Sequence, residues 1–335
     1  MTILKINSKL AWKSNFDISQ AVITFEDESI KELKNALPQV QVDPIGRING
    51  IIPPMPTLKK QFEEAKKKQL EFPGFCVFNG IQNHLDSDLW GKAFRIFAPF
   101  MGEVIGQDLI DQTILDRISI ADQKKFNINI GDYLQIKSVS YKGGDFSKRW
   151  RYSDGKDGGD MHTDGVERPP TLTPKHFGFV VRNTSRSGGK SWLVSVPQIY
   201  LRLQKSDPKL LEVLHSDFYF SLKGDKIDGK EFTSKPILFK SGEKNGFDTI
   251  GAQYLRHYIH QGHELAGKPL TEIQIKALDA FDYELVHPDN LLVSDYIKGG
   301  IYLINNYHTL HGRSSFDDRT GDRKRELLRV WTRTF

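Results

Sequence analysis

The sequence has little cysteine and no long apolar run. Cys76 is the one cysteine among 335 residues, which excludes an intramolecular disulfide and favours a reducing compartment. No stretch approaches the ~18 apolar residues of a membrane-spanning helix. The opening MTILKINSKLAWKSNFD lacks the apolar core of a secretory signal. We therefore expect a cytoplasmic protein without a membrane partner.

A strong excess of one charge sign is also missing. Lys and Arg number 47 against 42 Asp and Glu, which gives a net charge of +5. The densest basic run, residues 59–72, interleaves both signs at helical spacing, as is typical of a solvated helix face. Basic residues do not alternate with aromatic residues in a strip. The composition therefore argues against a nucleic-acid partner.

Short strand-like segments dominate the centre and the end of the chain. Apolar, β-branched and aromatic residues mark strands at 133–141, 176–184, 191–196, 299–308 and 326–335. Helical spacing occurs at 27–37, 57–71, 88–106 and 271–286. The turn SRSGG joins the second and third strands and predicts a hairpin. Many short strands with helices gathered at the front indicate a mainly β sandwich or jelly roll with helical additions.

The same pattern predicts one domain over residues 1–335. We expect a mixed α/β part at 1–130 and core strands at 131–204 and 291–335. Residues 205–290 interrupt the strand rhythm, and 240–268 within them has no clear period. We interpret 205–290 as an insertion that acts as a lid.

The motif GGDMHTDGVERP at 158–169 places His162 and Asp164 two residues apart. On an extended strand, residues i and i+2 point to the same side, so both side chains can reach one point. One more histidine would complete the 2-His-1-carboxylate triad that suits non-haem Fe(II). The later segment NNYHTLHGRSSF offers His308 and His311 as that ligand.

Arginines gather on the last predicted strand. Alternation places Arg325, Arg329 and Arg333 on one face, together with Leu327 and Trp331. Arginines so close would repel each other in a dry core, so some must contact anions or solvent. Because the planar guanidinium matches a carboxylate, this strand predicts a site for one or two carboxylates.

Four segments in this order resemble the clavaminate synthase-like, TauD-related branch of Fe(II)/2-oxoglutarate-dependent oxygenases. They are MHTDG (161–165), GGKSWLVS (188–195), HGRSSF (311–316) and RELLRVW (325–331). The resemblance implies a double-stranded β-helix, a cupin-like jelly roll with iron at its open end. It also implies that Fe(II), 2-oxoglutarate and O2 meet there. A free amino acid or a derivative would be oxidised, with hydroxylation the default, while 2-oxoglutarate becomes succinate and CO2.

The resemblance assigns the iron ligands to His162, Asp164 and His311. It favours His311 over His308 because Gly312 and Arg313 follow His311, and because Arg325 lies 14 residues on (325 − 311 = 14). Asp164 stands where several amino-acid hydroxylases of this branch carry glutamate.

The remaining assignments concern carboxylates and the substrate. Arg325 and Ser191 would hold the distal carboxylate of 2-oxoglutarate. Arg329 and Gln135 occupy positions that bind the carboxylate and amino groups of an amino-acid substrate. Arg256, in the insertion, is a candidate contact for the substrate side chain.

Two other interpretations stay open at this point. An oxygenase of this type could act on nucleic acid or on a protein side chain, which the small positive charge permits. Alternatively, a jelly roll could bind another divalent metal without catalysis. Salt-dependent binding to an oligonucleotide would favour the first alternative, and the absence of succinate formation would favour the second.

Overall fold

A computed structural model describes residues 4–141, 155–169, 172–321 and 324–333. Its strands are β1 (Val22–Thr24), β2 (Gln41–Val42), β3 (Ile48–Asn49), β4 (Phe75–Asn79), β5 (Val104–Ile105), β6 (Lys137–Val139), β7 (His176–Asn183), β8 (Ser187–Gly188), β9 (Ser191–Ser195), β10 (Asp217–Ser221), β11 (Phe232–Pro236), β12 (Leu238–Lys244), β13 (Phe247–Ala252), β14 (Leu292–Ser294), β15 (Ile301–Asn305), β16 (Thr309–Arg313), β17 (Phe316–Asp317) and β18 (Glu326–Thr332). Its α-helices are α1 (Asp27–Ala36), α2 (Pro56–Leu70), α3 (Trp90–Phe97), α4 (Gln112–Leu115), α5 (Ile120–Phe126), α6 (Val196–Ser206), α7 (Pro208–Leu214), α8 (Arg256–Leu265) and α9 (Glu272–Val286).

Two sheets form the centre of the fold. The major sheet has the order β1-β4-β15-β7-β18-β5, with β6 paired to β18, and the minor sheet has the order β14-β9-β16. Backbone hydrogen bonds between His162 and His311, of 2.9 and 3.0 Å, add the H-x-D segment to the edge of the minor sheet. This arrangement is the jelly roll that the sequence predicts. It includes β1, β4 and β5, which lie in the part of the chain predicted as the mixed α/β N-terminal part, 1–130.

The major sheet separates two apolar layers, because alternate side chains of a strand point to opposite faces. Val180 and Val330 pack on the outer side with helices α1, α2 and α3. Phe177, Leu327 and Trp331 point to the inner side, between the two sheets. The inner face of β18 is therefore the face that can contribute side chains to an internal site.

The hairpin predicted between 176–184 and 191–196 is wrong. Strand β7 pairs with β15 and β18, whereas β9 pairs with β14 and β16, so the turn crosses from one sheet to the other. Gly188 and Gly189 make this crossing with φ angles of 67° and 68°. A Cβ on Gly188 would lie 2.2 Å from the Ser315 carbonyl oxygen, so a side chain there would clash. Turn residues identified the change of direction but not the sheet that receives the next strand.

Much of the 205–290 region packs on the outer side of the minor sheet. It contains the hairpins β10–β11 and β12–β13 and the helices α7, α8 and α9. The stretch 240–268 lacks a period because it joins parts of a hairpin to α8, and a bulge between Lys240 and Gly242 breaks the strand alternation. Helix α9 begins at a capping box formed by Thr271 and Gln274. Of the helices that the structure describes, none is long and apolar enough to cross a membrane.

Candidate active site

His162, Asp164 and His311 meet at the edge of the minor sheet. One possible ligand atom from each lies within 4.8 Å of the others. The Nε2 atoms of His162 and His311 are 3.8 and 3.7 Å from the same oxygen of Asp164, Oδ1. The register of the two backbone segments produces this meeting, because paired residues of neighbouring strands carry their side chains on one face.

The orientation of His162 directs its Nε2 atom towards Asp164. Its Nδ1 lies 3.0 Å from the Asp160 carbonyl oxygen, so Nδ1 carries the hydrogen and Nε2 keeps its lone pair. Burial, reinforced by His311, lowers the pKa of His162 to about 3, which keeps the ring neutral. The His311 ring stands between that of His162 and Phe177, with centroid distances of 4.3 and 4.4 Å. Neutral imidazoles in fixed positions are the form that binds metals.

The carboxylate of Asp164 is ionised and held by two residues of β18. Arg329 Nη1 donates to Oδ1 and Oδ2 at 2.8 and 2.9 Å, and Trp331 Nε1 donates to Oδ2 at 2.8 Å. Burial alone would raise the pKa of Asp164, but the guanidinium and the two imidazoles hold it well below its usual range. Asn306 fixes the backbone by accepting from Asp164 N at 2.8 Å and donating to Asp164 O at 2.9 Å. Oδ1 consequently faces both histidines and Arg329, while Oδ2 faces Arg329 and Trp331.

A further set of contacts holds these two β18 residues. Gln107 accepts from Arg329 Nε at 2.9 Å and donates to the Arg329 carbonyl oxygen at 2.8 Å. Arg168 donates to the carbonyl oxygens of Gly106 and Gln107. The guanidiniums of Arg168 and Arg329 both lie over the Trp331 ring, at 4.9 and 4.8 Å from its centroid. The carboxylate at the cluster is therefore the end point of a packed polar network.

Arg325 lies four residues before Arg329 on the same inner face, beside a cavity of about 230 Å³. It is only 3% exposed, and its guanidinium lies 5.5 Å from the ring centroid of Tyr296 and 5.3 Å from that of Phe316. Gly188 and Gly189, which make the sheet crossing, also line this cavity. A buried arginine beside a small cavity suits one carboxylate group of a small diacid.

Ser191 begins β9, where it is buried opposite Arg313 and Ser294. It lies two residues after Gly189, which lines the Arg325 cavity, whereas Ser191 itself is not among the lining residues. Arg313 itself donates to the carbonyl oxygens of Gly155, Lys156 and Asp157, so it braces the segment before the H-x-D motif.

Two residues predicted for the substrate have partners within the protein. The amide oxygen of Gln135 accepts from Arg95 at 2.5 Å, and Arg95 belongs to α3, outside the major sheet. Arg256 begins α8 and donates to Asp282 and Asp279 of α9 at 2.9 and 2.8 Å. A residue of helix α3 thus binds Gln135, two residues of helix α9 bind Arg256, and the contact of each with a substrate stays a prediction.

The cavity beside Arg256 is a separate space of about 810 Å³. Met161 and Trp192 line it, and each is next in sequence to a residue that points inward, so both point to the outer face of the minor sheet. His308 is likewise apart from the cluster, since its two ring nitrogens lie 3.2 Å from Asn305 Nδ2 and Ser241 Oγ.

Sequence reasoning missed several residues of the network. Gln107 lies outside the motifs, Arg168 and Asn306 lie within quoted segments but received no role, and Trp331 was placed on the last predicted strand without a role. The one signal for Trp331 was its even spacing from Arg325 and Arg329 along the strand. This spacing already placed its indole on the same face as both arginines.

The family model described as "Taurine catabolism dioxygenase TauD, TfdA family" matches residues 54–331. Among curated proteins, FR-33289 synthase of Streptomyces rubellomurinus (strain ATCC 31215) is 26% identical over 151 residues, 44% of this chain and 43% of that protein. The alignment thus spans less than half the length of this curated relative.

Two solved structures cover 94% of this chain and 94% of their own chains. Asparagine oxygenase in complex with Fe(II), 2S,3S-3-hydroxyasparagine and succinate has a TM-score of 0.59 at 12% identity. The non-heme iron oxygenase OrfP in complex with Fe and alpha-ketoglutaric acid has a TM-score of 0.61 at 12% identity. These likenesses confirm the predicted fold.

Proposed function

The chain belongs to the taurine catabolism dioxygenase TauD, TfdA family, as its motifs predict, and from this premise we propose that it is an Fe(II)- and 2-oxoglutarate-dependent dioxygenase. One observation carries the proposal: two imidazole Nε2 atoms and one carboxylate oxygen of a family member converge on one point. We propose His162, Asp164 and His311 as the iron ligands. The donor set fits Fe(II), since two neutral histidines and one carboxylate form the facial triad of non-haem iron oxygenases.

When bound, iron supplies the activation of O2 and the oxidation of a C–H bond, with 2-oxoglutarate converted to succinate and CO2. The protein contributes binding and orientation. We propose that Arg325 pairs with the distal carboxylate of 2-oxoglutarate, because its buried guanidinium borders a cavity of about 230 Å³. Its aromatic neighbours Tyr296 and Phe316 limit the positions that the guanidinium can adopt. Ser191 would add a hydroxyl near that carboxylate.

We propose that the substrate is a free amino acid or an amino-acid derivative and that hydroxylation is the outcome. Support comes from the motif resemblance and from the asparagine oxygenase structure, whose bound product is a hydroxylated amino acid. Arg329 remains a proposed contact for a substrate carboxylate, with the addition that its Nη1 already binds Asp164. Gln135 and Arg256 also remain proposed substrate contacts, with the addition that Arg95 and Asp282 already bind them. A cytoplasmic location is also proposed, since a single cysteine, Cys76, excludes an intramolecular disulfide and suits a reducing compartment.

The experiment combines a binding test with a turnover test. Under anaerobic conditions, Fe(II) and 2-oxoglutarate together should produce a weak charge-transfer absorption band, and His162→Ala should abolish it. With O2 and ascorbate, a panel of amino acids is then screened for succinate formation and for a mass increase of one oxygen atom. A band without turnover on any amino acid, but with turnover on an oligonucleotide or peptide, would replace the substrate class. If neither the absorption band nor succinate appears, the enzymatic proposal itself is contradicted.

A further inference from the structure

A buried lysine of the insertion contacts the loop that follows Asp164. Lys235 lies on β11 and is only 2% exposed. Its ammonium group donates to the carbonyl oxygens of Val166 and Arg168, at 2.6 and 2.8 Å. It also lies 4.8 Å from the ring centroid of Phe220 on the neighbouring strand β10. The insertion thus binds the metal-site loop through one charged side chain.

These two hydrogen bonds continue into the network around the carboxylate. The loop turns sharply after Asp164 at Gly165, whose φ is 67° and whose Cβ would lie 2.5 Å from Pro174 Cδ. It then reaches Arg168, whose backbone accepts from Lys235 and whose guanidinium binds the carbonyl oxygens of Gly106 and Gln107. Lys235 therefore holds the backbone of the residue that packs on Trp331.

Stability alone does not account for a lysine at this position. Removing an ammonium group from water is costly, and an apolar side chain of similar length would fill the same volume without that cost. Burial lowers the pKa of Lys235 to about 7, which expresses the same cost, and Glu167 only partly opposes the effect. A favourable effect elsewhere in the protein must offset this cost. The two hydrogen bonds of Lys235 place that effect at the loop that follows Asp164.

We propose that Lys235 is a positioning residue through which the insertion orients Asp164 and so sets the metal affinity of the cluster. The chain of contacts runs from Lys235 to the backbone of Arg168, from the Arg168 guanidinium to Gln107 and Trp331, and from Trp331 to Asp164 Oδ2. Fixing Oδ2 keeps Oδ1 turned towards the histidines. The inference rests on the proposed function, since it requires a metal bound by the cluster.

The test is Co(II) binding to the metal-free protein. Binding is measured by the visible absorption of the bound ion and by equilibrium dialysis. Lys235→Met keeps most of the length of the side chain and removes its charge and its hydrogen-bond donors. Outer partners of metal ligands typically contribute about 10–100-fold to metal affinity, so we expect the Co(II) dissociation constant to rise about tenfold, at the lower end. Leu214→Ala is the matched control, because it removes a buried side chain of the insertion in helix α7. It should leave Co(II) affinity unchanged.

A second variant keeps the test decisive if Lys235→Met fails to fold. Arg168→Lys removes the guanidinium that reaches Gly106 and Gln107, and it should weaken Co(II) binding by a similar factor. Where both single variants fold, the double variant should lose little more Co(II) affinity than the single variant that binds Co(II) more weakly. The reason is that both changes break the same chain of contacts. An unchanged Co(II) affinity in the variants that fold, or an equal loss in Leu214→Ala, would overturn the inference. If the wild-type protein shows no Co(II) binding that depends on His162, the result would instead overturn the proposed function.

Discussion

Replacing Arg329 with methionine should leave a buried carboxylate without its charged partner. Asp164 is only 4% exposed, and Arg329 Nη1 contacts both of its oxygens at 2.8 and 2.9 Å. After the replacement, Trp331 Nε1 remains as a side-chain donor to this carboxylate, at Oδ2. Removing one member of a buried ion pair costs about 3–5 kcal/mol, because the other charge stays buried. We expect metal-free Arg329→Met to lose that much free energy of unfolding.

Arg333→Met is a matched control just beyond the same strand. Arg333 Nη2 pairs with Glu103 at 3.0 and 3.1 Å, but the two side chains are 36% and 59% exposed. Exposed ion pairs contribute about 0–1 kcal/mol, so this variant should unfold nearly like wild type. The same arginine-to-methionine change is thus made once in a buried pair and once in an exposed pair.

Urea unfolding of the metal-free proteins, followed by circular dichroism, measures both losses. Arg329→Lys adds an intermediate case, because an ammonium group keeps the charge but cannot reproduce the planar fork that also donates to Gln107. The expected order of stability is wild type and Arg333→Met, then Arg329→Lys, then Arg329→Met. Equal stability of Arg329→Met and Arg333→Met would refute the reasoning, since the buried pair would then contribute no more than an exposed one.

Three further predictions concern single residues. His162→Ala should lose Co(II) binding and succinate formation, and retention of both would remove His162 from the ligand set. Arg325→Ala should raise the KM for 2-oxoglutarate about 10- to 100-fold, because a charge-assisted pair contributes about 1.5–3 kcal/mol; an unchanged KM in succinate assays would assign that carboxylate to another residue. The pKa of Lys235 is about 7 when folded and 10.5 in the unfolded reference, so the unfolded chain binds more protons between these values. Wild type should therefore gain free energy of unfolding relative to Lys235→Met from about pH 7 to pH 10, by up to about 1.4 kcal/mol per pH unit. Urea unfolding across that range measures the gain, and its absence would show that the lysine is not buried.

The meeting of the three candidate ligands could be predicted because local geometry and a motif both point to it. His162 and Asp164 share a side of an extended segment, which follows from a spacing of two residues alone. The partner histidine lies 149 residues later (311 − 162 = 149), and no local rule connects it. Only the motif around it distinguished His311 from His308. The structure then brings His311 into register with His162 through two backbone hydrogen bonds.

The surroundings of the carboxylate could not be predicted in this way. Gln107 and Arg329 are 222 residues apart, and Lys235 and Arg168 are 67 residues apart. None of these residues has a spacing that requires the contact, because each pair meets through the packing of separate layers. A glutamine, a lysine and an arginine look like surface residues in a sequence, so burial is the information that a single sequence lacks here.

The residue at position 164 changes what the neighbouring arginine can do. The motif assigned Arg329 to a substrate carboxylate by analogy with hydroxylases that carry glutamate at the H-x-D position. Here the shorter aspartate accepts from Arg329 and Trp331 on β18, so the guanidinium already has a carboxylate of the protein as its partner. An amino-acid carboxylate would have to share that guanidinium with Asp164, which ties substrate binding to the orientation of a metal ligand. The motif therefore identifies the family, but it does not assign the substrate contacts of this chain residue by residue.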